Sequence, residues 1–251
     1  DIYEELYGTW PCRFTALSLL DGLYSVSEAG TTYLREKYPE FKDRYETLLL
    51  GVPDPQSVAK SSSDGVLRIV SCSSINSIKR INLLFRSIQV AARLRETQAF
   101  EWRHFGGGDR LKEFIEKAHK ESRPNAAIKF HGHVSRHELI QNYLTQPVDI
   151  FINVSSTEGT PVSIMEAISC GIPVISTAVG GNVEIVQEKN GFLLSENPTP
   201  DQIADALLQV LDNREIWLEK RKGSREVWQE RYNETTNFEA FAQALVEIRK
   251  R

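Results

Sequence analysis

The residues best suited to chemistry are two carboxylates, Glu158 and Glu166, in the run Ser155-Ser156-Thr157-Glu158-Gly159-Thr160-Pro161-Val162-Ser163-Ile164-Met165-Glu166-Ala167. They flank a Gly/Thr/Pro loop that leads into a helix start, and backbone N–H groups at a helix start, with their dipole, favour phosphate. A plainer account fits the same residues. Ser163 and Glu166 have the spacing of a helix capping box, and Glu158 would then be an ordinary loop charge. Spacing alone leaves the two accounts evenly balanced.

Two other constellations stand out. Gly106-Gly107-Gly108 could bring backbone close to a phosphate or sugar, or could simply make a tight turn. It is not a dinucleotide fingerprint, because Leu111 occupies the third glycine position and Ala126 stands where an acidic ribose ligand is wanted. His131, His133 and His137 spell H-x-H-x3-H, and three histidines plus water would suit a catalytic zinc. Cysteine partners are absent and loop histidines are usually solvated, so the expectation is no metal site.

The elements that must position these residues follow from periodicity. Val66 to Cys72 reads as a strand, Ile78 to Leu94 as a helix, and Phe100 to Phe105 as a strand before a helix beyond Asp109. Ala127 to Phe130 is a further strand, followed by a helix that Ser135 and Glu138 open as a capping box. Val148 to Val154 is apolar except at Asp149 and Asn153, the pattern of a strand buried on both faces. A helix from Ser163 to Ser169 and strands at Ile172 to Ser176 and Gly191 to Leu194 complete the series. The expected fold is α/β: a Rossmann-like, doubly wound parallel sheet whose ligands sit beyond the carboxyl ends of the strands. A helical tail follows, with one helix capped by Thr199 and Gln202, one after Asn213, and one after Thr236 with Glu239 as capping partner.

The first 55 residues break this pattern. Leu23 to Val26 and Thr47 to Leu50 read as strands and Glu28 to Tyr38 as a helix, too little to close a core alone. They are expected to be the remnant of another domain, with residues 56–251 forming the main domain and its C-terminal helices. The sequence begins at Asp1 and its one methionine is Met165, as expected of a cut or processed piece.

Composition sets the outer limits. The 251 residues include 41% hydrophobic and 25% charged, an ordinary globular balance, and the net charge of −4 without a basic patch argues against nucleic acid as a partner. No apolar run approaches the roughly 18 residues of a membrane span. Three scattered cysteines favour a reducing, cytoplasmic compartment.

Glu158 and Glu166, with seven residues between them in E-G-T-P-V-S-I-M-E-A, resemble the E-x7-E signature of retaining GT-B glycosyltransferases, family 4 in the usual sequence classification. The resemblance continues through Gly171-Ile172-Pro173-Val174-Ile175, Gly180 to Val186 and Asn190 to Leu194, and covers about Asp21 to Leu211. It implies the C-terminal, donor-binding half of such an enzyme, with a nucleoside-diphosphate sugar as donor and no cofactor or metal. By that resemblance Glu166 takes the ribose hydroxyls, Glu158 contacts the transferred sugar, and the backbone around Gly159, Thr160, Pro161 and Val162 holds the diphosphate or sugar. Pro161 itself has no N–H to give. Gly107 lies near the donor and His133 near the base. The family's usual Arg and Lys after the first strand correspond to Ser74 and Lys79. The departure at Ser74 leaves three options: Arg80 or another group supplies the charge, Lys79 works alone with the helix dipole, or transfer is weak.

The family further implies hexosyl transfer to a saccharide or lipid-linked acceptor, as in bacterial polysaccharide biosynthesis. That acceptor would be held by a missing N-terminal domain, with peripheral membrane association of the full-length protein and little or no turnover by this piece alone. Two rival functions remain: a sugar-nucleotide epimerase on the same architecture, and a non-catalytic nucleotide-binding module.

Overall fold

The computed structural model describes residues 12–248 and divides into two compact units, Gly51–Glu234 and, together, Asp1–Leu50 with Thr235–Arg251. The larger unit is built on a six-stranded, all-parallel sheet. The smaller unit contains α1 (Arg13–Leu19), β1 (Leu23–Ser25), α2 (Glu28–Lys37), a 3-10 turn (Pro39–Arg44) and β2 (Tyr45–Thr47). β1 and β2 pair in parallel, from Leu23 opposite Tyr45 to Ser25 opposite Thr47, and Leu17, Tyr38 and Tyr45 are buried in a small core. The second strand thus ends where the sequence reading starts it, because the apolar run Leu48 to Leu50 continues as irregular chain.

In the larger unit the strands are β3 (Val66–Cys72), β4 (Ala99–Phe105), β5 (Ala126–Phe130), β6 (Ile150–Asn153), β7 (Val174–Thr177) and β8 (Gly191–Leu194). The helices are α3 (Ile81–Leu94), α4 (Leu111–Glu121), α5 (Arg136–Thr145), α6 (Val162–Ser169), α7 (Asn182–Ile185), α8 (Pro200–Asp212) and α9 (Arg214–Arg231). Strand order is β5-β4-β3-β6-β7-β8, so the chain winds outward from β3 in one direction, returns, and winds outward from β6 in the other. That reversal between β3 and β6 is the topological switch point, where such sheets bind ligands.

Burial on both faces explains the apolar strands. Ile69, Ile150, Ile152 and Ile175 pack with Leu84, Phe85 and Ile88 of α3 and with Ile203 and Leu207 of α8. The intervening Val70, Phe151 and Val174 are equally buried, and α6 packs on α9. The two polar breaks in the β6 run sit at its ends. Asp149 accepts hydrogen bonds from Ser62 N, Ser62 Oγ and Arg68 N at the entry, while Asn153 closes the exit.

Capping largely follows the sequence. Ser135 and Glu138 cap α5 reciprocally, as do Thr199 and Gln202 on α8. Two expected boxes do not form. α6 starts at Val162 with Pro161 as its N-cap, which puts Ser163 inside the first turn and leaves Glu166 free of a capping role. The last helix, α10 (Glu234–Ile248), begins two residues before Thr236, so Thr236 is likewise helical. α10 also groups with the smaller unit rather than the larger: the Phe241 ring meets Tyr24 edge-on at 5.7 Å, and Asn237 Nδ2 donates to Leu50 O at 2.9 Å. Among the described residues no helix is long and apolar enough to cross a membrane.

Candidate functional site

The loops after β3 and β6 meet at the switch point. Ser156 N donates to Ile78 O at 2.8 Å, tying the two loops together. Across that tie Lys79 Nζ donates to both oxygens of Glu158, at 2.7 and 2.8 Å, although the residues are 79 positions apart. Asn153 Nδ2 donates to Glu158 Oε1 at 2.9 Å while its Oδ1 accepts from Ser155 N at 3.0 Å, which orients the amide. The Glu158 side chain is 8% exposed. Burial pushes its pKa up, but hydrogen bonds from Asn153, Lys79 and Ser155 and the Lys79 charge outweigh this, so it lies below the usual carboxylate value. Glu158 is therefore an ionised, oriented acceptor beside a cation.

The loop that carries Glu158 rests on a glycine pair. Gly180 has φ +47, and a Cβ there would lie 1.8 Å from Glu158 O. Gly181 N donates to Gly159 O at 2.8 Å. Gly159 itself faces open space. From Pro161 the chain turns into α6, with Ile164 N and Met165 N donating to Pro161 O. Val162 is exposed at the mouth of this helix, and Thr160 lies between it and the glycine.

Glu166, on α6, is buried at 7% exposure and paired with Arg136 at the start of α5, Nε to Oε1 3.1 Å. Burial raises its pKa, and the Arg136 charge and hydrogen bond offset part of the rise. It is a second carboxylate with its own cation, in a drier setting than an exposed loop charge.

The loops after β4 and β5 complete the rim. Ser73 N donates to Phe105 O, Ile75 N to Gly107 O and Gly106 N to Gly132 O, so the backbones run in contact. A Cβ on Gly106 would lie 2.0 Å from Ser73 O, which gives the triglycine a steric reason: three loops pass within backbone distance. A Cβ on Gly107 would lie 3.7 Å from His133 N, so these two expected donor-side residues are neighbours. His133 is exposed. The His131 ring stacks on Phe105 at 4.6 Å, and among the described residues no group of three His, Cys, Asp or Glu gathers as a metal site.

Ser74 is exposed and accepts from Asn76 Nδ2 at 3.0 Å, and Asn76 Oδ1 in turn accepts from Lys79 N at 3.0 Å. Arg80 does not supply the missing charge to this face. Its guanidinium donates to Val154 O, Ser155 O at 2.6 Å, Glu196 O at 2.8 Å and Asn197 Oδ1 at 3.1 Å. Its backbone is left-handed, φ 49, at the N-cap of α3. Burial lowers its pKa.

The expected set therefore falls into five groups: Lys79 with Glu158, Gly159 to Val162 on the loop into α6, Glu166 on α6, Gly107 beside His133, and Ser74 bound to Asn76. The sequence reading missed the residues that hold them, namely Asn153, Arg136 and the supporting role of Gly180 and Gly181. Asn153 carried one signal, a polar residue closing an otherwise apolar strand.

A curated relative, the UDP-N-acetylglucosamine--peptide N-acetylglucosaminyltransferase GtfA subunit of Streptococcus gordonii, is 25% identical over 251 residues, covering 94% of this chain and 47% of its own length. Among solved structures, S. aureus TarM superposes with a TM-score of 0.75 at 16% identity, over 97% of this chain and 48% of that one. Anabaena HepE in complex with UDP and glucose gives 0.72 at 17% identity, over 92% and 64%. The chain spans less than two thirds of each of these proteins, and the structural likenesses show a shared fold, the Rossmann-like half of a GT-B architecture. A family model described as glycosyl transferases group 1 matches residues 57–230, which takes in Lys79, Glu158 and Glu166, and this chain belongs to that family.

Proposed function

We propose that residues 56–234 form the donor-binding half of a retaining glycosyltransferase that takes a nucleoside-diphosphate sugar. The observation that carries the reading is the ionised Glu158 held by Lys79 and Asn153 at the switch point, beside a loop that opens into the α6 N-terminus. A carboxylate accepts hydrogen bonds from sugar hydroxyls, and a lysine ammonium beside helix-start N–H groups suits a diphosphate. Glu166, paired with Arg136, takes the ribose diol. Gly107 and His133 border the base.

Chemistry follows from these placements. As the glycosidic bond breaks, negative charge grows on the leaving diphosphate. Lys79 and the loop N–H groups stabilise that charge, each donor by about 2–4 kcal/mol in comparable sites. With Ser74 at the usual Arg position and Arg80 engaged elsewhere, Lys79 is the cation of this site. The donor's own phosphate accepts the acceptor's proton, which places both events on one face of the sugar and retains its configuration. The acceptor, a saccharide or lipid-linked sugar, is held by a further domain to which Asp1–Leu50 belongs. The streptococcal relative is named for a peptide acceptor and a UDP-sugar donor, so UDP-sugars are the first donors to try.

The test is a thermal-shift panel of UDP-, GDP- and ADP-sugars at millimolar concentration. A ligand that binds only the folded chain stabilises it by RT ln(1 + [L]/Kd), so even weak donors are ranked. One base should raise the melting temperature, and Lys79→Met should abolish the rise. If no nucleotide sugar shifts the transition, the donor-site reading fails.

A further inference from the structure

The Lys79–Glu158 pair faces a competition that the donor must resolve. Lys79 Nζ is bound by both oxygens of Glu158, and the Glu158 side chain is 8% exposed. A diphosphate that draws the Lys79 ammonium to itself strips a buried carboxylate of its cation, leaving it to Asn153 and Ser155. Uncompensated buried charge is costly. A sugar on the same diphosphate offers hydroxyl donors that replace the lost ammonium contacts. A bare nucleoside diphosphate, whose ribose hydroxyls go to Glu166, offers none at Glu158, and its own negative charge is brought close to that carboxylate.

Resting on the donor-site reading, we infer that Glu158 is a specificity-determining residue that makes this site select the nucleotide sugar over the bare nucleotide, by holding Lys79 whenever no sugar hydroxyl is present. The same exchange clears the site after transfer. Once the sugar has left on the acceptor, Glu158 has lost its hydroxyl donors, recovers Lys79, and releases the nucleoside diphosphate.

The experiment measures Kd for UDP and for UDP-glucose by calorimetry on the 251-residue chain, with the GDP and ADP counterparts run in parallel. Wild type, Glu158→Gln and Glu158→Asp are compared. The glutamine keeps the size and removes the charge; the aspartate keeps the charge and withdraws it from Lys79. Both variants should bind UDP on the order of tenfold more tightly than wild type, since breaking the ion pair no longer opposes binding. Both should bind UDP-glucose more weakly, so the preference for the sugar nucleotide collapses. Opposite signs for the two ligands separate this from simple relief of charge repulsion, which would tighten both. Equal shifts, or UDP binding unchanged or weaker in both variants, overturn the inference. If the wild-type chain binds no nucleotide at all, it is the donor-site reading that fails. Should one variant not fold, as read by its melting temperature without ligand, the other carries the test.

Discussion

Arg80 offers a perturbation whose two parts can be separated. Its guanidinium donates to the carbonyls of Val154 and Ser155, residues no more than 2% exposed, and to two acceptors in the loop after β8. Hydrogen bonds to a charged group are worth about 1.5–3 kcal/mol each, and they are not additive, so Arg80→Ala is expected to cost roughly 2–4 kcal/mol. The backbone contributes separately. At φ 49 an L-residue pays about 1–2 kcal/mol that glycine does not. Glycine's freer unfolded state returns roughly 0.4–1 kcal/mol of that. Arg80→Gly should therefore be more stable than Arg80→Ala by about 0.5–1 kcal/mol, the reverse of the order inside a helix. Urea unfolding followed by tryptophan fluorescence reads this directly, because Trp102, Trp217 and Trp228 all lie in the larger unit. If the glycine variant is no more stable than the alanine variant, the strained-backbone argument is wrong. If both lie within about 0.5 kcal/mol of wild type, as a surface substitution would, the guanidinium does not hold the loops together.

Two more predictions rest on the same rim. Gly180→Ala puts a methyl into the Glu158 carbonyl at a left-handed φ, so the loop must shift; the expected loss is about 1–3 kcal/mol of stability and at least tenfold in nucleotide-sugar affinity, read by denaturation and calorimetry. Arg136→Met removes the offset to the burial-raised pKa of Glu166. A carboxylate whose folded pKa lies above its unfolded value binds more protons when folded, so stability falls as pH rises through that window. The variant's melting temperature should thus drop more steeply than wild type's as pH rises above the ordinary glutamate value, and parallel curves would remove Arg136 from the account.

How much of this was legible in the sequence depends on the range of the interaction. β3 and β8 match the sequence limits because their β-branched and apolar residues set burial locally, and the caps at Ser135 and Thr199 are set within four residues. The Ser163–Glu166 box failed for a physical reason: Pro161, with its fixed φ, already serves as the N-cap, and the buried Glu166 is satisfied by Arg136 from another helix. The grouping of α10 with the smaller unit depends on Tyr24 and Phe241, more than two hundred positions apart, and no local pattern reports such a pairing. Likewise the engagement of Arg80 is set by the loop after β8, whose Glu196 and Asn197 lie 116 and 117 positions away.

The seam between β3 and β6 has a consequence for how the protein acquires its site. The two strands pair over Ile69 with Ile150 and Val70 with Phe151, and this short register joins the two halves of the sheet, β5-β4-β3 and β6-β7-β8. Lys79 belongs to one half and Glu158 to the other. The proposed donor site needs both, and contacts this distant in sequence are the slow ones to close in folding. On the proposed donor-site reading, ligand competence is a late event on the folding path, and a bound nucleotide sugar would act as a staple across a joint that local structure cannot secure.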